Sequence, residues 1–140
     1  MLYEEHVVEA VCRFLRKKGF LITQRLATKA HGEDIKALAP DRKQQVTIEA
    51  KGATSSNPNS PRYGKEFDSK QVKDHVANAV YSAARHVSTD TLTGVAFPNN
   101  DRHVEYVGRI LPALKRLKIE VFWVGPDKTV EVEHHWEVWD

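Results

Sequence analysis

The chain has 140 residues, with 21 Lys and Arg against 19 Asp and Glu, a net charge of +2. That length predicts one domain whose core forms without disulfides, and the charge is too small to demand nucleic acid by itself and too mixed for a membrane coat. Hydrophobic residues make up 41%, a globular composition; no apolar run approaches the ~18–20 residues of a spanning helix, and the single Cys12 excludes an internal disulfide and a cysteine-built zinc cage.

Residues 4 to 18 carry Val7, Val8, Val11, Phe14 and Leu15 at three- and four-residue steps, which predicts an amphipathic helix. The opening run holds acids where a signal peptide needs basic residues, so the expected setting is reducing and cytoplasmic. Gly19 stops the helix, and Arg16, Lys17 and Lys18 suit its carbonyl end. Residues 20 to 26, 35 to 39 and 46 to 51 read as strands, the last two joined by the turn Pro40-Asp41-Arg42-Lys43. Residues 52 to 66 lack apolar periodicity and are long for a connection inside a domain. A second helix is predicted from Ser69 to about Val87, with Val72, Val76, Val80, Ala83, Ala84 and Val87 inside.

Residues 92 to 97 form the next strand. A third helix runs to about Lys118, with N-cap candidates at Asn99, Asn100 and Asp101. Its apolar face is Val104, Val107, Leu111, Leu114 and Leu117, and Pro112 should kink or break it. Residues 119 to 124 are a strand, parallel to the preceding one through a right-handed βαβ unit. After the turn at residues 125 to 128, residues 129 to 139 make a last strand or an ordered tail. The expectation is a single α/β domain with a central mixed sheet flanked by helices: an αβββαβ core plus a C-terminal αβ extension.

Residues 34 to 51 carry the most chemistry. A turn centred between Asp41 and Arg42 pairs residues whose numbers sum to 83, so Ile35 faces Ile48 and Ala37 faces Val46 on one apolar side. Asp34, Lys36, Thr47, Glu49 and Lys51 fall on the other side, with Asp34 opposite Glu49 and Cβ atoms ~4.5–5.5 Å apart. Two readings of that face are open. It is the solvated side of an amphipathic hairpin, or its two carboxylates share a cation. Mg²⁺ takes one or two carboxylates, several waters and phosphate oxygens. The Ala50 carbonyl would add an oxygen, and Lys51 would stabilise phosphorane-like charge or help activate a water.

The runs His31-Gly32-Glu33-Asp34-Ile35 and Val46-Thr47-Ile48-Glu49-Ala50-Lys51-Gly52 resemble the PD-(D/E)XK, or restriction-endonuclease-like, nuclease superfamily, in particular its archaeal-type Holliday junction resolvases and Mrr-like enzymes. The usual Pro-Asp dipeptide is absent, Glu33 preceding Asp34. The element order over residues 4 to 98 agrees with the family's core. The resemblance implies a Mg²⁺- or Mn²⁺-dependent endonuclease acting on DNA. Asp34 and Glu49 would hold metal with the Ala50 carbonyl, Lys51 would serve catalysis, and a first-helix Glu would join the cluster. Glu5, leading the run to Val11, is marginally favoured over Glu9 for that auxiliary acid, although acids there also suit the helix dipole. Gln71 stands where some members place a Gln that orients water or phosphate, and it also reads as an ordinary surface residue.

His75, one turn beyond Gln71, reads as a solvated or capping residue within reach of phosphate, and Cys12 as packing. Ser55, Ser56 and Ser60 lack a His-Asp partnership. Arg62, Lys65, Lys70 and Lys73 flank the long loop and would hold DNA phosphates, with Tyr63 and Phe67 beside them for stacking. So short a chain has little room for a separate recognition domain, so it is expected to dimerise, work with a partner subunit or read DNA structure. The alternatives are a non-catalytic nucleic-acid-binding module on the same scaffold and a small protein-interaction domain.

Overall fold

A computed structural model describes residues 2–25, 34–54, 64–88 and 90–139. The elements in chain order are α1 (Glu4–Lys17), β1 (Leu21–Arg25), β2 (Ile35–Leu38), β3 (Gln45–Ala50), α2 (Ser69–Ala84), β4 (Thr91–Pro98), α3 (Asp101–Gly108), α4 (Leu111–Arg116), β5 (Ile119–Val124) and β6 (Val130–Val132). A short 3-10 turn over Glu137–Trp139 follows. The six strands form one sheet in chain order. β1, β2 and β3 are antiparallel, β3, β4 and β5 parallel, and β6 antiparallel to β5. The chain is thus an α/β protein with a six-stranded mixed sheet flanked by helices. Among the described residues no helix is long and apolar enough to cross a membrane.

The β2–β3 register is the one expected from the sequence, Ile35 opposite Ile48 and Ala37 opposite Val46. Asp41 secures the turn by accepting the N–H groups of Lys43 and Gln44 at 2.8 and 3.1 Å. Ile35, Ala37, Val46, Ile48 and Ala50 point to α1, joining Val7, Val11 and Leu15 in one core. The opposite face of β4 and β5 packs Val95, Phe97, Val121 and Trp123 against Val72 and Val76 of α2 and Val107 of α3. Period-two alternation places Thr47, Glu49 and Lys51 on this α2 face. Gly19 ends α1 at φ +91°, a left-handed conformation that avoids a Cβ clash, and Phe20 N–H returns to Leu15 O at 3.0 Å.

Three sequence expectations shift. The third helix is two, broken between Gly108 and Leu111, with Pro112 in the first turn of α4, where its missing N–H costs nothing. α2 stops at Ala84, leaving Ala84 and Val87 exposed. Val104 and Leu117 are also exposed, and His103 takes the core position assigned to that helix face.

Glu120, wholly buried in β5, organises the C-terminal segment. Its carboxylate accepts the backbone N–H groups of Val121, Glu133, His135 and Trp136 and the Trp139 indole N–H, at 2.7 to 3.1 Å. Trp136 and Trp139 are thereby held over Phe122, closing the α1 core. Removing the carboxylate strands several buried donors, each worth about 1–3 kcal/mol. Glu120→Ala is therefore expected to cost about 3 kcal/mol or more in guanidinium unfolding, while Glu120→Gln, which keeps an acceptor oxygen, costs less. Equal losses would remove the carboxylate from this role.

Candidate active site at the end of the third strand

β3 runs Glu49-Ala50-Lys51 into Gly52, where α1 begins against it. A Cβ on Gly52 would lie 2.5 Å from the Glu4 backbone nitrogen and 2.8 Å from the Tyr3 carbonyl carbon. Contacts that short do not occur, so glycine is what lets α1 seat its first turn there. Ala53 N–H donates to Leu2 O at 2.8 Å, and Lys51 N–H to Ala96 O at 3.0 Å. Tyr3 N–H donates to His6 Nδ1, and the two rings stack. The first turn of α1 is thus fixed to the end of the E-x-K strand by backbone contacts.

Asp34 enters from the other side, one residue before β2, and is buried at 9% exposure. Its Oδ2 accepts the Ala50 N–H at 2.7 Å, a charge-assisted bond across the hairpin. Burial raises the Asp34 pKa, against which the Ala50 N–H and the Lys51 charge work. Glu4 is pushed up to about 7, first by burial and then by the Asp34 carboxylate, with Lys51 opposing and Glu49 adding to the rise. Four charged groups, Glu4, Asp34, Glu49 and Lys51, therefore feel one another around the end of β3. Three are acids, a like-charge crowding that ordinarily marks a functional site or needs a compensating cation.

Not every candidate joins this group. Glu5 is exposed, and Glu9 is exposed and paired with Arg25 at 3.5 Å. Their neighbour Glu4 is the one that feels the Asp34 and Glu49 charges. A stripe argument separates polar from apolar positions but does not choose among acids in one turn, and the one available signal was Gly52, which fixes where the first turn touches β3. Ala50 is held at the site, its N–H committed to Asp34. Gln71 closes the capping box of α2: its Oε1 accepts the Asp68 N–H and its own N–H donates to Asp68 Oδ1, both at 2.9 Å. Lys65, Lys70 and Lys73 are exposed around the start of α2, while Arg62 and Tyr63 lie outside the described residues. Cys12 is wholly buried, and burial pushes its thiol up, so it packs and does not react.

The donor chemistry fits a hard divalent ion. The carboxylates of Glu4, Asp34 and Glu49 lie within electrostatic influence of one another, and such repulsion falls when a cation joins the acids. Among the described residues no three His, Cys, Asp or Glu groups are already gathered as a ligand set. A Mg²⁺-type ion does not need one, since water and phosphate oxygens complete its shell. The chain matches no protein-family model, no curated protein sequence and no solved structure.

Two outcomes follow from this geometry. Gly52→Ala drives a Cβ into backbone, which cannot give way as a flexible side chain can, and is expected to cost about 1–3 kcal/mol in urea unfolding; an unchanged midpoint would show that α1 does not depend on this approach. Glu4 holds its proton more tightly folded than unfolded, so from about pH 4.5 to 7 the folded state carries the extra proton and stability falls as pH rises. In metal-free buffer Glu4→Gln should therefore lose less melting temperature than wild type between pH 5 and pH 8. Parallel pH profiles would contradict the raised pKa of the half-buried Glu4.

Proposed function

We propose that this chain is a Mg²⁺- or Mn²⁺-dependent endonuclease with a restriction-endonuclease-like fold, hydrolysing phosphodiester bonds of DNA. The observation that carries the reading is the grouping of Asp34, Glu49, Lys51 and Glu4 where β2, β3 and the start of α1 meet. The αβββαβ order and the β2–β3 register support it, because together they set an acid opposite an E-x-K strand. Asp34, Glu49 and the Ala50 carbonyl would hold the ion, with Glu4 as the auxiliary acid in place of Glu5 or Glu9. When bound, the ion would polarise phosphate oxygens and lower the pKa of water.

The chain's own groups divide the remaining work. Lys51 brings positive charge to the rim of an acidic site, the sign needed where a phosphorane-like centre gathers negative charge. Asp34 is kept from turning by its bond to Ala50 N–H, so its second oxygen has a fixed place. Gln71, with its oxygen committed to the helix cap, retains its NH₂ as a donor, which suits a phosphate oxygen better than the proton of a water. Lys65, Lys70 and Lys73 extend positive charge away from the site and would hold flanking phosphates.

Plasmid, single-stranded and branched DNA incubated with purified protein in Mg²⁺ and in Mn²⁺ test the reading. Cleavage is expected to require the ion and to fall by roughly 10²–10³-fold in Glu49→Ala and in Lys51→Ala, as for loss of a principal charge-stabilising group. Cleavage that survives both substitutions would place the activity elsewhere. Tight, salt-sensitive binding without cleavage would replace the enzyme by a binding module.

A further inference from the structure

The hairpin face that carries Asp34 and Glu49 continues past them. Lys36 is two residues beyond Asp34, Thr47 is two residues before Glu49, and Lys36 and Thr47 are register partners. Side chains two apart on a strand share a face and stand ~6.6 Å from each other along it. Lys36 and Thr47 therefore form the next row of the same surface, about one nucleotide step from the acid pair. β4 is parallel to β3, so α2 between them runs back along the sheet, from beside the end of β3 to beside its beginning. Val72, Val76, Ala79 and Ala83 of α2 are buried. Gln71, His75 and Ser82, and His86 just past the helix end, are half-buried. Their steps of four, seven and four residues make one polar stripe along the helix, and its last member reaches the hairpin face.

A cavity of about 410 Å³ opens there, between the hairpin and the end of α2. Thr23 of β1, Lys36 of β2, Gln45 and Thr47 of β3, Thr91 of β4 and His86 line it. That volume is in the range of sites enclosing one small molecule, ~300–1,000 Å³. Its polar lining consists of hydroxyls, an amide, an imidazole and one ammonium, and among the described residues there is no carboxylate in it. Charge thus changes sign along one continuous face. The acid row calls for a cation, and the row beside it offers donors and a positive charge to an anion. Thr47 Oγ1 is buried without a hydrogen-bond partner among the described residues, so the floor includes a polar group that the fold itself leaves unsatisfied.

We propose that this cavity holds one unpaired nucleotide of the substrate strand, next to the phosphodiester at Asp34 and Glu49. Lys36 takes its phosphate, and the hydroxyls and amide of Thr23, Gln45 and Thr91 meet its base edge. The inference rests on the nuclease reading of the neighbouring site. A nucleotide in perfect duplex enters a concave site only by leaving its stack and its pairing partner, whereas a single strand or a frayed branch has already done so. The substrate class is therefore DNA whose strand is unpaired beside the cut. The exposed Lys65, Lys70 and Lys73 lie at the opposite end of α2, so a strand crossing the acid pair has cations on both sides of it.

Thymidine 5′-monophosphate, inorganic phosphate and thymidine, each added separately to ¹⁵N-labelled protein in Mg²⁺-free buffer, test the cavity without any cleavage. The nucleotide is expected to move the amide signals of Lys36, Gln45 and Thr47 at concentrations where phosphate or thymidine alone leaves them in place. Phosphate moving them equally would reduce the cavity to an anion site and overturn the inference. Lys36→Gln removes the charge without placing an acid beside Asp34, and Gln45→Trp fills the cavity from an exposed position. Each should weaken nucleotide binding about tenfold, as for loss of a charged hydrogen bond or its space, and slow cleavage of single-stranded DNA by a similar factor at unchanged melting temperature. A protein that cuts perfect duplex as fast as single strands, or whose two variants cut single strands as wild type does, keeps its nuclease function and loses this site. A protein that binds the nucleotide in the cavity and cuts no DNA loses the proposed function and keeps the nucleotide site.

Discussion

The seat of α1 on Gly52 is the constraint from which the rest of the site follows. A helix start carries unsatisfied N–H groups and needs fixed partners if it is to be buried. Here the Tyr3 N–H donates to His6 Nδ1, Leu2 O ties the segment to the Ala53 N–H, and the Glu4 nitrogen occupies the space that any Cβ at position 52 would fill. That approach is made in backbone, which does not change rotamer, so it fixes the height and rotation of α1 against the sheet. Val7, Val11 and Leu15 then fall over Ile35, Ile48 and Ala50, and the α1 core closes. The same seat leaves Glu4, not the exposed Glu5, within electrostatic influence of Asp34 and Glu49. Core packing and site geometry are thus two consequences of one contact.

Asp34 shows how an acid is kept buried without a direct ion pair among the described residues. Desolvation disfavours its charge, and the Ala50 N–H and the Lys51 ammonium compensate only in part. The hydrogen bond also ties the entrance of β2 to the exit of β3, so one interaction sets hairpin register and carboxylate orientation together. Glu120 is the contrasting case at the far end of the α1 face. It gathers five N–H donors, which suits a structural anchor for the tail that follows β5. A buried acid surrounded by donors organises chain, whereas acids crowded against one another raise each other's pKa.

The hairpin was readable because its information is local and periodic. Alternation of Ile35, Ala37, Val46 and Ile48 and the chemistry of Asp41 fix register with no knowledge of the rest of the chain. The same alternation set Glu49 and Lys51 on the α2 face. The auxiliary acid was not readable in that way. Glu5 and Glu9 share the polar side of α1, but Glu9 turns to Arg25 on β1, a contact no helical period contains. Gln71 was found by its place after the E-x-K strand, and what the sequence held in view without weighing is Asp68 three residues earlier, which makes a capping box of the pair. Val104, expected on the apolar face, is exposed, and His103 is buried beside it, its imidazole held by the Asn100 side chain. Hydrophobicity alone would not bury a histidine; a side-chain cap from the preceding residues does.

The two faces of the sheet differ in what they tolerate. On the α1 face Phe14, Phe20, Phe122, Trp136 and Trp139 pack ring against ring, and the Trp136 and Trp139 indole N–H groups end on Thr93 O and Glu120. Aromatic packing of this kind fixes a single arrangement and satisfies its polar tips. On the α2 face Thr47 and Thr93 lie side by side on β3 and β4, and their hydroxyls, like His75 Nδ1 and His103 Nε2, are buried without partners among the described residues. Each such group costs stability that an apolar residue of similar shape would not. That cost is concentrated on the face that carries Glu49 and Lys51, while the opposite face holds α1 in place and secures the fold.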